Sequence, residues 1–312
     1  MYEDKFLEKL INSIDTLQNG EVSVGDDSAF IFIPQGCCLI TQDSFSENKH
    51  FLSNSKLNKV IKRAFRASIS DINAMGGRGK YLVCTLGIKK KNSKELNGIL
   101  NSLIEECNKF NLKIIGGDTV SSDKNFITMT ILGFLTQGKK PLLRSNAKPE
   151  DFIYISGPIG KMGLSIKAVK GEKLPFPKKT LKKIKEYYYK PEIPYPLGEE
   201  LLLSGKVKCC IDISDGLSID LHRLCRRSKC GAIIEEELIP FEKEVSKIFK
   251  NKDKRTEFLL SSGEEFQLLF TSPFELPFPK IGKIIEERNV YIKKDKKLEK
   301  LKIIGFDHFT GD

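Results

Sequence analysis

The chain has 312 residues, of which 40% are hydrophobic and 30% charged, and its formal net charge is +11. This is enough apolar material for one large domain or two ordinary ones, which excludes a chain too polar to fold. No run approaches the roughly 20 apolar residues of a membrane helix, and the opening MYEDKFLEKL lacks the basic-then-apolar layout of a secretory signal.

A soluble, cytoplasmic protein without membrane contact is therefore expected. The basic excess collects in 178–185 and 293–302, which read as solvated lysine faces. No stacking aromatic interleaves with the second run, so no nucleic-acid partner is expected. The eight cysteines include no C-x-x-C pair, which points to reduced thiols filling the core and not to structural zinc.

In chain order, 3–17 reads as an amphipathic helix, followed by strands at 29–33 and 37–42. A helix over 56–75 carries Ile61, Ala64, Phe65, Ile69 and Ile72 at helical spacing and stops at Gly76–Gly77. A strand at 81–88 follows. Ser93 is expected to cap a helix whose face is Leu96, Ile99, Leu100, Leu103, Ile104, Cys107 and Phe110. Strands at 112–115 and 127–135 complete a first α/β unit.

The polar stretch 136–151 is the expected boundary, giving domains 1–138 and 139–312. A strand at 152–156 then leads through Gly157, Gly160 and Gly163 into a helix near 164–169. A lysine-rich helix (179–189), a proline-broken connector (191–196) and a strand (207–212) come next. A tight turn at Ser214–Gly216 opens a helix through 227, and shorter strands and helices alternate to the end. Two α/β domains without a fixed-period repeat result.

The acids fall at element ends, many beside glycine: Asp26 and Asp27 after Gly25, Asp43, Asp71, Asp118 after Gly116–Gly117, and Asp212 and Asp215 around a turn. One such acid is an ordinary turn or cap residue. Six such sites with almost no histidine suit Mg²⁺, which takes carboxylates, water and substrate phosphates. There is no G-x-x-x-x-G-K-[ST] loop. The 157/160/163 glycines are spaced G-x-x-G-x-x-G and not as a dinucleotide fingerprint. They read either as a plain strand-to-helix turn or as backbone N–H groups offered to an anion.

An ordered set of motifs spans nearly the whole chain: Gly25-Asp26-Asp27, Thr41-Gln42-Asp43, Glu47-x-x-His50-Phe51, Ser70-Asp71-Ile72-Asn73-Ala74-Met75-Gly76, Gly116-Gly117-Asp118-Thr119, Arg144-Ser145-x-Ala147-Lys148-Pro149, Asp212-Ile213-Ser214-Asp215-Gly216-Leu217 and Phe306-Asp307-His308-Phe309. Taken together they resemble the thiamine-monophosphate kinase family. The resemblance implies a two-domain α/β (α+β) fold of the aminoimidazole-ribonucleotide-synthetase type. Its N-terminal domain would have a mixed sheet with helices, bind ATP and Mg²⁺, and dimerise through its strands; its C-terminal α/β domain would complete the ATP and substrate site. It further implies a homodimer that phosphorylates thiamine monophosphate with ATP.

Carried over residue by residue, Asp27, Asp43, Asp71, Asp118, Asp212 and Asp215 match ligands of several Mg²⁺ ions, with Thr41 and Gln42 as weaker oxygen ligands. Gly117, Asp118, Arg144 and Ser214 match ATP contacts, and His50, Glu264 and Phe306 match the thiamine phosphate pocket. The acceptor is a phosphate monoester, already anionic at neutral pH, so no general base is expected; transfer rests on positioning and charge neutralisation.

Three departures from the family pattern stand out. Ser262-Gly263-Glu264-Glu265-Phe266-Gln267 replaces G-G-E-D-Y-E, Gln42 replaces a common threonine, and Lys161-Met162-Gly163 replaces small residues after the glycine loop. Two alternatives are kept. One is another ATP-using ligase or synthetase of the same superfamily; the other is a non-catalytic nucleotide- or RNA-binding protein.

Overall fold

The computed structural model describes residues 36–306. The expected 3–17 helix, the 29–33 strand, Asp26–Asp27 and His308 lie outside the described residues. The chain divides into two compact units at Lys139–Lys140, with the short segment Asn73–Gly76 grouped in the second.

In the first unit, β1 (Cys38–Ser46) precedes α1 (Leu57–Ala74), β2 (Arg78–Ile88), a 3₁₀ turn (Lys90–Glu95) and α2 (Leu96–Phe110), and β3 (Lys113–Ser121) and β4 (Phe126–Phe134) follow. The sheet runs β1-β4-β2-β3. Only β2 and β3 pair in parallel, so the sheet is mixed. Exposure alternates along β1 and β4, the mark of a sheet with one covered face. The predicted stripe of α1 is that cover: Ile61, Ala64, Phe65, Ile69 and Ile72 are all buried. Ser93 does not cap α2; it lies inside the 3₁₀ turn, and the residue before the helix, Glu95, makes no side-chain cap. Polar residues preceding an apolar stripe do not distinguish a cap from one extra tight turn.

Gly117 is required by close approach, since a Cβ there would stand 2.1 Å from the Cys84 carbonyl oxygen on β2. Between the helices, Arg66 donates through Nε (2.8 Å) and Nη2 (3.3 Å) to Glu106, and both residues are buried. Removing one member of such a pair leaves an uncompensated buried charge. Glu106→Ala should therefore cost about 3–5 kcal/mol, read as a lower urea midpoint at unchanged slope.

The second unit contains β5 (Phe152–Ile155), α3 (Lys161–Val169), α4 (Lys178–Tyr189), α5 (Leu197–Ser204), β6 (Cys209–Asp212) and α6 (Leu217–Ser228). It continues with β7 (Gly231–Glu235), a 3₁₀ turn (Glu236–Leu238), α7 (Lys243–Ile248), α8 (Lys252–Ser261), β8 (Leu268–Ser272), β9 (Lys280–Ile285), β10 (Val290–Lys294) and β11 (Lys297–Lys300). The sheet order is β11-β10-β7-β9-β5-β8-β6, again mixed, with β10 and β7 parallel. Ile153, Ile155, Ile211, Leu217, Leu221, Leu224 and Leu269 share its core. All eight cysteines are free and six are buried. Among the described residues no helix is long and apolar enough to cross a membrane.

Candidate active site

In the first unit the alternation of β1 turns Thr41 and Asp43 to the face of buried Leu39 and Phe45. Thr41 Oγ1 donates to Asp71 Oδ2 at 2.5 Å, joining β1 to the last turn of α1. Thr41, Asp43 and Asp71 are thus neighbours. Gln42 turns to the other, exposed face, so only its main chain is near them.

Asp118 is not brought to this group. The register pairs it with Thr85, which pairs with Thr128 and then Ser44. Three strand spacings put it about 14 Å from β1, on the face opposite to Thr41 and Asp43. It is exposed, and its Oδ1 accepts from Thr119 N at 2.8 Å.

His50 follows β1, and its Nδ1 accepts from Ser46 N at 3.1 Å, which puts the ring proton on Nε2. The loop around His50 is fixed by Glu47. Lys89 Nζ (2.5 Å), Asn125 N (3.0 Å) and Asn125 Nδ2 (2.8 Å) donate to its carboxylate. Burial raises the Glu47 pKa, but these donors outweigh it and the net pKa is lowered.

The second unit gathers most of its predicted residues at one junction. Asp212 ends β6, buried. The turn after it carries Ser214 and Asp215 and enters α6 at Gly216, whose φ of +123° suits glycine. Glu264 N donates to Ser214 O at 2.7 Å, and Phe306 N donates to Asp215 O at 3.0 Å. The residues matched to substrate are therefore hydrogen-bonded to the turn matched to ATP and metal. Glu264 holds a left-handed φ of +54°. Arg144 is exposed, and its guanidinium makes no ion pair among the described residues. His222 Nδ1 donates to Ser218 O at 2.8 Å and is structural.

Sequence reasoning missed the carboxylates that hold this junction. Asp220, fully buried, accepts from the Ser214, Asp215 and Gly216 amides. Burial pushes its carboxyl up to about 6 against the pull of those donors and of Arg223. Its place in the first turn of α6, soon after a turn, was the available signal, as in a capping box.

Glu265 does the same for α3. It accepts from Gly160 N (2.8 Å), Met162 N (3.2 Å) and Ser262 Oγ (2.5 Å). The glycine loop's N–H groups are thus directed at an internal carboxylate, and the reading of an anion cradle gives way to that of a self-capped turn. Gln267 Oε1 likewise accepts from Ser156 Oγ at 2.7 Å. Of the four changes in 262–267, those at Glu265 and Gln267 are thus read as packing against the glycine loop.

Burial raises the Glu265 pKa from 4.5 to about 7, against the pull of Ser262 and the amides. The folded state then holds this proton more tightly than the unfolded chain does. Stability attributable to it falls as pH rises from about 4.5 to about 7. Glu265→Gln, whose single oxygen can keep most of these donors, should flatten that slope in thermal melts across pH 4–8.

No group of three or more His, Cys, Asp or Glu among the described residues stands close enough to hold a metal alone. The neighbouring donors Thr41, Asp43 and Asp71 are all hard oxygens, a set that fits Mg²⁺ completed by water and phosphate.

Family profiles match both units: "AIR synthase related protein, N-terminal domain" over residues 25–135 and "AIR synthase related protein, C-terminal domain" over 148–293. The fold is that of this two-domain class. Within it, the chain is 34% identical over 297 residues to the thiamine-monophosphate kinase of Pyrococcus abyssi, covering 93% of this chain and 91% of that one. It is 36% identical over 286 residues to that of Buchnera aphidicola subsp. Schizaphis graminum, covering 91% and 83%. The solved structure of AaThiL complexed with AMPPCP and TMP has the same fold, with a TM-score of 0.78 over 97% of this chain and 96% of that one, at 24% identity. The chain belongs to the thiamine-monophosphate kinase family and is an enzyme, a kinase.

Proposed function

We propose that the chain moves the γ-phosphoryl group of ATP in line and directly onto thiamine monophosphate, releasing ADP and thiamine diphosphate as the last step of thiamine diphosphate biosynthesis. The observation that carries this reading is the bonding of Glu264 and Phe306 to the carbonyls of Ser214 and Asp215. It joins the residues matched to thiamine phosphate to those matched to ATP and metal.

An acceptor phosphate oxygen attacks the γ-phosphorus, and the bond to the β,γ-bridging oxygen breaks, its electron pair leaving with ADP. The acceptor is already anionic near neutral pH, so no side chain has to take a proton. The task is to hold two polyanions in line. Magnesium, when bound, supplies the positive charge that lets them approach.

Thr41, Asp43 and Asp71 would hold it in the first unit together with Asp27, and Gln42 would add its main-chain oxygen. Asp118, on the opposite face of the sheet, would serve a separate ion, in keeping with several ions. In the second unit, Asp212 and Asp215 would hold magnesium. Ser214, Gly117, Asp118 and Arg144 are assigned to ATP, where the planar guanidinium suits phosphate oxygens. His50 is assigned to the substrate phosphate. Phe306 offers a π face and Glu264 a negative charge to the cationic thiazolium ring.

A homodimer through the first unit's sheet is supported by its outward face. Ile40 there is 69% exposed, and it pairs in register with Leu132. Asp43→Ala and Asp71→Ala should each lower turnover at least about 100-fold, the scale of one lost electrostatic contact to the transferring group. The measurement is ADP formed per added thiamine monophosphate; folded variants with unchanged turnover would remove these carboxylates from the reaction.

A further inference from the structure

The turn between β6 and α6 is held by one side chain. Asp220 Oδ2 accepts from Ser214 N at 3.0 Å, Asp215 N at 3.0 Å and Gly216 N at 3.2 Å. Its other oxygen accepts from Arg223 Nη1 at 2.9 Å, and the same nitrogen donates to Asp215 Oδ2. Three successive amides converging on one oxygen fix the peptide planes of the turn. The carbonyls of Ser214 and Asp215 are fixed with them, and these accept from Glu264 N and Phe306 N. Gly305 adds to the constraint, because a Cβ there would stand 2.4 Å from the Asp215 carbonyl oxygen.

We propose that Asp220 is a positioning residue for the phosphoryl transfer: it sets where the Ser214 hydroxyl and the Asp215 carboxylate stand, and, through the carbonyls of the turn, where Glu264 and Phe306 stand. This rests on the roles proposed above for those four residues. Asp220 is fully buried and acts through the turn, not on substrate. Arg223 is the outer half of the device: by binding one oxygen of Asp215 it fixes the rotation of that carboxylate, as outer partners of metal ligands do. The start of α6, which would otherwise attract phosphate, is filled by the chain's own carboxylate. Phosphate is thereby left to the cations of the site.

The test uses the full chain and the variants Asp220→Ala, Asp220→Asn and Arg223→Gln, read two ways. Amide exchange of peptides covering 213–217 is measured without substrate or metal, and kcat and KM for thiamine monophosphate and ATP are measured with them. Asp220→Ala is expected to speed exchange at 214–216 at least about tenfold. Its kcat should fall about 10- to 100-fold, the range for losing an outer partner, with a raised KM for thiamine monophosphate. Asp220→Asn, whose amide oxygen still accepts from the turn, should restore most of the protection and part of the rate. Arg223→Gln should leave turn exchange largely unchanged and lower kcat.

Folded Asp220→Ala with unchanged exchange, or with faster exchange but unchanged kcat and KM, would overturn the proposal. If Asp220→Ala does not fold, unchanged kcat in both Asp220→Asn and Arg223→Gln would do so. An inactive wild type with a protected turn would instead sink the functional reading alone, because the exchange measurement needs no turnover.

Discussion

A carboxylate repels the phosphates that this family's reaction must bring together, and the second unit uses carboxylates in two opposed ways. Asp220 and Glu265 are turned inward, each filling the amide-lined start of a helix. Asp215 and Glu264 stand on the turns so held, half-buried. The buried pair gives up solvation, which raises both pKa values, and in return the half-buried pair is held in one arrangement. Without the inward carboxylates, orphan amides at the starts of α3 and α6 would compete for any anion nearby.

This division of labour explains a site with few histidines. A phosphate acceptor needs no base, and charge neutralisation by hard cations needs oxygen ligands. In the first unit, Thr41 and Asp71 meet at 2.5 Å, a pairing that links strand and helix. Elsewhere in that unit the stability is ordinary: a buried helix stripe, an alternating sheet and the Arg66–Glu106 pair.

Much of this was legible in the sequence because it is local. The stripe of α1, a strand starting near Cys38 and the Ser214–Gly216 turn follow from periods and turn residues that a few neighbours determine. The glycine loop was placed between a strand and a helix with an anion cradle left open, because what satisfies its amides, Glu265, lies about a hundred residues away. The same holds for Gly117, whose reason is a carbonyl on a neighbouring strand. The placement of Asp118 depends on sheet order, which no motif records. The short helix α5 follows a proline-broken connector and carries too little periodicity to separate it from a loop. Likewise Gln42, read from its motif alone, did not reveal that its side chain faces away from Asp43.

The most direct measurement incubates the protein with ATP and Mg²⁺ and one of three acceptors: thiamine monophosphate, thiamine or none. ADP and thiamine products are quantified together. The account predicts ADP release only with thiamine monophosphate, and one thiamine diphosphate for each ADP. ADP release without thiamine diphosphate, or no acceptor-dependent release from folded protein that binds ATP, would contradict it and direct attention to the sibling ATP-using ligases of the same class.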